Sequence, residues 1–336
     1  MPAWTDPVAL SPNRIGRFYR GGALLESFRG LPAPTDGHEP EDWVGSVTSV
    51  WQPSGQTDAG LSRLPDGRTL RSLVGDTGVL VKLLDAAERL PIHCHPTRPF
   101  AQRVLDSVYG KAEAWIVLET RQIPGGEAPN IRLGWRDGVS RDQLSRWVRE
   151  QQTEAMLSAM PVRPVSAGDV WFVPPGVPHA IGPGIFMVEV QEPTDFSIVA
   201  EWRGFPVSES DASLDRGWDV MLDAFDREPM TDERLASLRQ SPRIVAESAT
   251  LTHGVLVDQP PFFSASRLVV RGSAAWPFAD AFSVGVVTDG AGSVAGASST
   301  LALRRGSTFA MPAGGGHITG EPELELIVSR GYRERR

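Results

Sequence analysis

His93, His95, Glu113 and His179 offer three imidazole nitrogens and one carboxylate, a donor set suited to a mid-sized divalent cation with a position left open for water or substrate. Alternate positions of a strand face the same side, so a His-x-His pair aims two imidazoles at one point and turns the intervening Cys94 away. His179 closes the spacing Gly168-x5-Pro174-x-Gly176-x2-His179, in the run AGDVWFVPPGVPHA. This spacing predicts a strand from Val170 to Val173, a tight turn through Pro174, Pro175 and Gly176, and a histidine at the start of the next strand. A barrel that returns its chain this way carries the histidine back to its interior.

Two lysines stand out, because every other one of the 33 basic residues is arginine. Lys82 lies in the apolar run VLVKLLD, eleven residues before His93, and Lys111 lies two residues before Glu113. A lysine buried in an apolar strand either finds an anion or lowers its pKa. Arginine would serve for simple charge, so both positions point to a compact or titratable amine. In IFMVEVQ, alternation places Glu189 and Gln191 on one face with Met187, away from Phe186 and Val188. Lys111 and Glu189 are therefore the candidate catalytic acid–base groups, with Lys111 preferred.

The elements that must position these groups are repeated. Gly306-x5-Pro312-x-Gly314-x2-His317 reproduces the first spacing at an offset of 138 residues. The chain is expected to be mainly β, built from two jelly-roll barrels. Residues 1–250 form the catalytic unit and residues 251–336 a second unit, in which only His253 could accompany His317, so no metal is expected there. Helical segments interrupt the first unit near 140–160 and 213–240. Ser140 with Gln143 reads as a capping box before Leu144, Trp147, Val148 and Ala155, and Pro161 stops the pattern. Leu214, Trp218, Met221, Leu222 and Phe225 predict a second amphipathic helix.

Composition narrows the partners. A net charge of −8 and a pI near 5.4 disfavour nucleic acid and anionic membranes. No apolar run approaches the roughly 20 residues of a membrane span, and no secretory leader is visible. With one cysteine there is no internal disulfide, and the reading is a cytoplasmic protein acting on small molecules. Its oligomeric state is not legible.

The stretches VLVKLLDAAERLPIHCHP, YGKAEAWIVLE and GDVWFVPPGVPHAIGPGIFMVEVQ resemble the cupin superfamily, and within it the type I mannose-6-phosphate isomerases in their short bacterial form. The likeness runs from about Glu41, where Glu41-x-Trp43-x-x-Ser46 is similar to an early signature of that family, to the C-terminus. It implies two cupin barrels with a helical insertion in the first. It also implies an isomerase that interconverts mannose 6-phosphate and fructose 6-phosphate, or a related sugar, with one divalent ion, zinc by expectation. Under it His93, His95, Glu113 and His179 hold the metal, Lys111 is catalytic or contacts substrate, and Ser46 and Lys82 bind substrate.

The chain departs from that pattern twice. His93 stands where the family has glutamine, and an arginine expected in the EPTDFSIVAEW run is replaced by Ile198 or Val199. Arg98 and Arg203 are the candidate substitutes for substrate binding. Two other readings stay open: a cupin dioxygenase with the same ligands, and a non-enzymatic sugar-binding or regulatory protein. The 17-residue gap between His95 and Glu113 disfavours the dioxygenase, whose glutamate stands closer to the second histidine.

Overall fold

The computed structural model describes residues 4–52 and 57–332, which form three antiparallel sheets and a set of short helices. A six-stranded sheet runs in the order Arg14–Ile15, Glu41–Val44, Leu80–Ala86, Ile185–Gln191, Glu113–Thr120, Val170–Val173. Strict alternation makes its two faces chemically different. One face carries Val81, Leu83, Phe186, Val188, Ala114 and Ile116, which pack on Leu256, Phe263, Val284 and Ile327 of the C-terminal sheet. The other carries a polar row set by register: Trp43 stands opposite Lys82, Lys82 opposite Glu189, and Gln191 opposite Glu113.

A five-stranded sheet, ordered Ile198–Val199, His93–Cys94, His179–Ile181, Asn130–Leu133, Val162–Pro164, lies over that polar row. Leu84, Trp115 and Met187 of the first sheet pack against Ile131, Leu133 and Ile181 of the second, and this apolar cluster holds the two sheets together. The outer face of the second sheet carries Cys94, Ala180 and Ile198, covered by Leu144, Trp147, Val148, Met221 and Leu222 from the helices. Each such large side chain removed from water contributes about 1.5–3 kcal/mol. Cys94 is thus a core residue turned away from the histidines, as alternation predicts, and burial pushes its thiol pKa up.

The capped helix forms as expected over Arg141–Glu150, with Ser140 Oγ accepting from the Gln143 amide at 3.1 Å. It stops at Gln151 (φ 53°), and a separate helix spans Thr153–Ala159. The expected helix from Leu214 to Phe225 does not run through. Leu214 and Asp215 take positive φ, Gly217 follows at φ 72°, and only Trp218–Met221 and a 3₁₀ turn at Leu222–Ala224 are helical. All five predicted apolar positions are nevertheless buried in one cluster, so their periodicity reports burial rather than an unbroken helix.

The C-terminal sheet takes seven strands from residues 243–331 and its eighth from Val8–Ala9, which pairs with Thr308–Met311. Both copies of the repeated spacing build the same strand, turn and strand: Val170–Val173 into His179–Ile181, and Thr308–Met311 into His317–Gly331. The glycines are needed for backbone reasons, since Gly168 and Gly306 have φ of 91° and 84°, and Gly176 and Gly314 of 89° and 123°. His317 is exposed where His179 is fully buried.

Candidate metal centre and its cavity

Register brings the histidines together. His179 stands directly opposite His93 in the five-stranded sheet, and His95 follows just beyond that short strand, with its carbonyl accepting from the Gly176 amide at 2.7 Å. The three rings form a triangle with centroid separations of 4.1, 4.9 and 5.0 Å. Each Nδ1 lies on a backbone carbonyl: His93 on Pro91 at 2.8 Å, His95 on Phe196 at 2.7 Å, His179 on Val177 at 2.9 Å. A carbonyl can only accept, so each Nδ1 carries a proton and each Nε2 is the ring nitrogen turned inward, free to serve as a metal ligand in the neutral ring.

Glu113 faces this triangle from the other sheet, with Oε2 3.0 Å from His95 Nε2 and Oε1 3.2 Å from His179 Nε2. His179 Nε2 is buried and has no hydrogen-bond partner. Two ring nitrogens that face a carboxylate at this range are arranged as the ligands of a cation held between them. Burial and the Lys111 ammonium hold His95 down to about 3, and burial with the other two imidazoles holds His93 well below its usual value. Neutral imidazoles beside a carboxylate, with ligand atoms of the three histidines all within 4.8 Å of one another, are the donor chemistry of a divalent metal site.

The triangle opens on a cavity of about 250 Å³ lined by His93, Lys111 and Glu113, by Lys82, Glu189, Glu41 and Tyr19, and by Arg17, Trp51, Asp195 and Asp211. Lys111 Nζ lies 3.0 Å from His95 Nε2 and 3.3 Å from Glu113 Oε2. Lys82 has found an anion rather than a lowered pKa: its Nζ is 3.0 Å from Glu189 and 3.6 Å from Glu41, and these carboxylates outweigh burial and raise its pKa. Burial raises the Glu189 pKa, with Glu113 and Glu41 adding to it against the pull of Lys82. Glu189 is the carboxyl of this cluster best able to take up and release a proton.

Three proposed substrate residues lie elsewhere. Ser46 is buried in a turn, donating from Oγ to the Thr48 carbonyl at 3.1 Å, and does not line the cavity. Arg98 donates to Glu192 at 2.6 Å and to the Pro261 carbonyl at 3.1 Å, also outside the lining. Arg203 is held through its backbone, its amide and that of Trp202 donating to Gln151 Oε1, and its side chain stays exposed.

Arg17, Tyr19, Glu41 and Asp195 were missed as cavity residues. Arg17 joins Asp195 at 2.9 Å and Glu41 at 3.0 Å, while Tyr19 Oη and Trp43 Nε1 each donate to Glu41 at 2.7 Å. Glu41 could have been found from the sequence, because Glu41-x-Trp43 alternation puts it on the face of Trp43. Arg17 lies upstream of every motif and carried no signal. A larger groove of about 690 Å³, between the six-stranded and C-terminal sheets, contains no imidazole and is separate from this site.

Glu41 sets an acid limit on the fold. Burial opposes its charge, but Arg17, Lys82, Tyr19 and Trp43 together hold its pKa far below the usual 4.5. A depressed carboxylate stabilises the folded state above its unfolded pKa, and that contribution is lost as pH falls below about 4.5. Glu41→Gln should cost about 1.5–3 kcal/mol at pH 7, because it takes one of two carboxylate partners from each of Arg17 and Lys82. Urea unfolding at pH 7 and pH 4 checks this: the gap between wild type and variant should shrink on acidification, and a gap that widens would contradict the assignment.

Buried imidazoles converging with a carboxylate between two antiparallel sheets define a mainly β protein with a candidate metal centre. No family model matches the chain. Over 97% of its length it is 24% identical to a probable mannose-6-phosphate isomerase of Bacillus subtilis, covering 99% of that protein, and a mannose-6-phosphate isomerase of the same organism matches equally well. A mannose-6-phosphate isomerase of Streptococcus mutans is 32% identical over 117 residues, 35% of this chain and 34% of its own. Among solved structures, the mannose 6-phosphate isomerase of Bacillus subtilis superposes with a TM-score of 0.72 at 22% identity, covering 97% of this chain and 99% of that one. Over nearly all of its length this chain is similar to mannose-6-phosphate isomerases, and it shares the fold of a solved one.

Proposed function

We propose that this protein is a metal-dependent aldose–ketose isomerase, with mannose 6-phosphate and fructose 6-phosphate, or a related sugar pair, as substrate and product. The observation that carries this reading is the triangle of imidazoles facing Glu113 at the wall of a small cavity that also holds the Lys111 amine and the Glu189 carboxyl, whose pKa burial raises. His93, His95, His179 and Glu113 would hold the ion, zinc by the nature of the donors, and when bound it supplies Lewis-acid polarisation of the sugar oxygens at C1 and C2.

The chain's own residues account for the proton movements. Isomerisation takes a proton from C2 of the open-chain aldose, returns one to C1, and shifts a hydroxyl proton from O2 to O1. Lys111 borders both the imidazole triangle and the cavity, and we assign it the carbon-bound proton, which it would take from C2 as the neutral amine and return to C1 as the ammonium. Glu189 forms a neighbouring stretch of wall and can relay the proton between the oxygens. Lys82, clamped between Glu189 and Glu41, orients and charges that wall rather than moving a proton.

The direct test is turnover. Zinc-loaded protein should interconvert an aldose and its ketose, tested with mannose 6-phosphate and with free mannose. A chelator should abolish the activity, and no oxygen should be consumed. Oxygen uptake with bound iron would favour a dioxygenase, and bound metal without turnover of any sugar a non-enzymatic binding protein.

A further inference from the structure

The charges of the cavity specify which kind of sugar it takes. Its lining holds three cations, Arg17, Lys82 and Lys111, against five carboxylates, Glu41, Glu113, Glu189, Asp195 and Asp211. The formal charge is −2, and a divalent ion at the histidines brings it only to zero. Among the described residues that line the cavity, every cation already has a carboxylate partner. Arg17 lies 2.9 Å from Asp195 and 3.0 Å from Glu41, Lys82 lies 3.0 Å from Glu189, and Lys111 lies 3.3 Å from Glu113.

A phosphate monoester carries about −1.5 to −2 at pH 7 and offers mainly acceptor oxygens. It needs cations with an uncovered side, ideally a guanidinium fork. Among the described residues, the one arginine lining the cavity spends its fork on Asp195, with Nη2 at 2.9 Å and Nη1 at 3.3 Å. Asp195 is in turn fixed by the Trp51 amide at 3.1 Å. The arginines that could have made a basic end do not reach in: Arg98 is held by Glu192, and Arg203 lies outside the lining. A carboxylate is an acceptor only, so it repels a phosphate but takes hydrogen bonds readily from hydroxyl groups. The volume of about 250 Å³ suits a single monosaccharide.

We propose that the site takes an unphosphorylated open-chain aldose or ketose, its hydroxyls donating to Asp195, Asp211 and Glu189, rather than a sugar phosphate. This rests on the isomerase reading for what happens to the sugar, but not for which sugar binds.

Calorimetric titration of zinc-loaded protein with mannitol and with mannitol 1-phosphate separates the two. These polyols mimic the open chain and cannot isomerise, so binding is read without turnover. Mannitol should bind at least tenfold more tightly than its phosphate, and kcat/KM for mannose should exceed that for mannose 6-phosphate by at least tenfold. Tighter binding of the phosphate, no binding of mannitol, or faster turnover of mannose 6-phosphate overturns the proposal. Tighter mannitol binding with no turnover of any sugar upholds it and sinks the isomerase reading instead. Asp195→Asn uncovers Arg17 and should narrow the binding gap at least tenfold; an unchanged gap in the folded variant shows that charge is not its cause and overturns the argument.

Discussion

His179→Ala yields a folded protein that no longer holds stoichiometric zinc after dialysis and has lost isomerase activity by on the order of 10³-fold or more, since Lewis-acid stabilisation contributes several kcal/mol to such a reaction. The residue is fully buried, stands opposite both His93 and Leu133 in its sheet, and has a buried Nε2 left without a hydrogen-bond partner. Backbone pairing does not depend on the imidazole, so circular dichroism should show the native sheet content. Metal analysis is the deciding measurement. Stoichiometric zinc retained by the folded variant would remove His179 from the ligand set and with it the proposed centre.

Lys111→Met should have the opposite signature: full metal content with kcat lowered about 10²- to 10⁴-fold, the usual contribution of a positioned proton carrier. Methionine matches the length and apolar stem of lysine, so the buried site stays filled while the amine disappears. The ammonium lies against His95 and Glu113, and its removal takes a positive charge away from two metal donors, which should preserve or tighten metal binding. KM should change little if Lys111 acts on the reacting carbon, and should rise with kcat unchanged if it only anchors substrate. Full turnover with unchanged KM would end its catalytic assignment.

Local pattern made much of this protein legible. The Val170–Val173 strand, the glycine–proline turn and the placement of His179 at the next strand's first residue follow from spacing alone, because a tight turn admits few backbone paths. The mainly β class follows from the same short-period alternation. The sidedness of Cys94, Glu189 and Gln191 was equally readable, since neighbouring strand residues must point to opposite faces. The helical reading failed at a chain break. The apolar spacing from Leu214 to Phe225 was real, but the positive φ at Leu214 and Asp215 divided it, and periodicity cannot report such a break.

The sequence by itself determined which side chains could ligate a metal and which strands would carry them, because alternation and turn spacing act over a few residues. Only the tertiary structure decided the electrostatic character of the cavity. Arg17 meets Asp195 across 178 positions of chain, and Lys82 meets Glu189 across 107. Those pairings depend on strand order and on the stacking of one sheet over another, and they determine whether a lysine or arginine in the composition is an open anion site or a charge already answered.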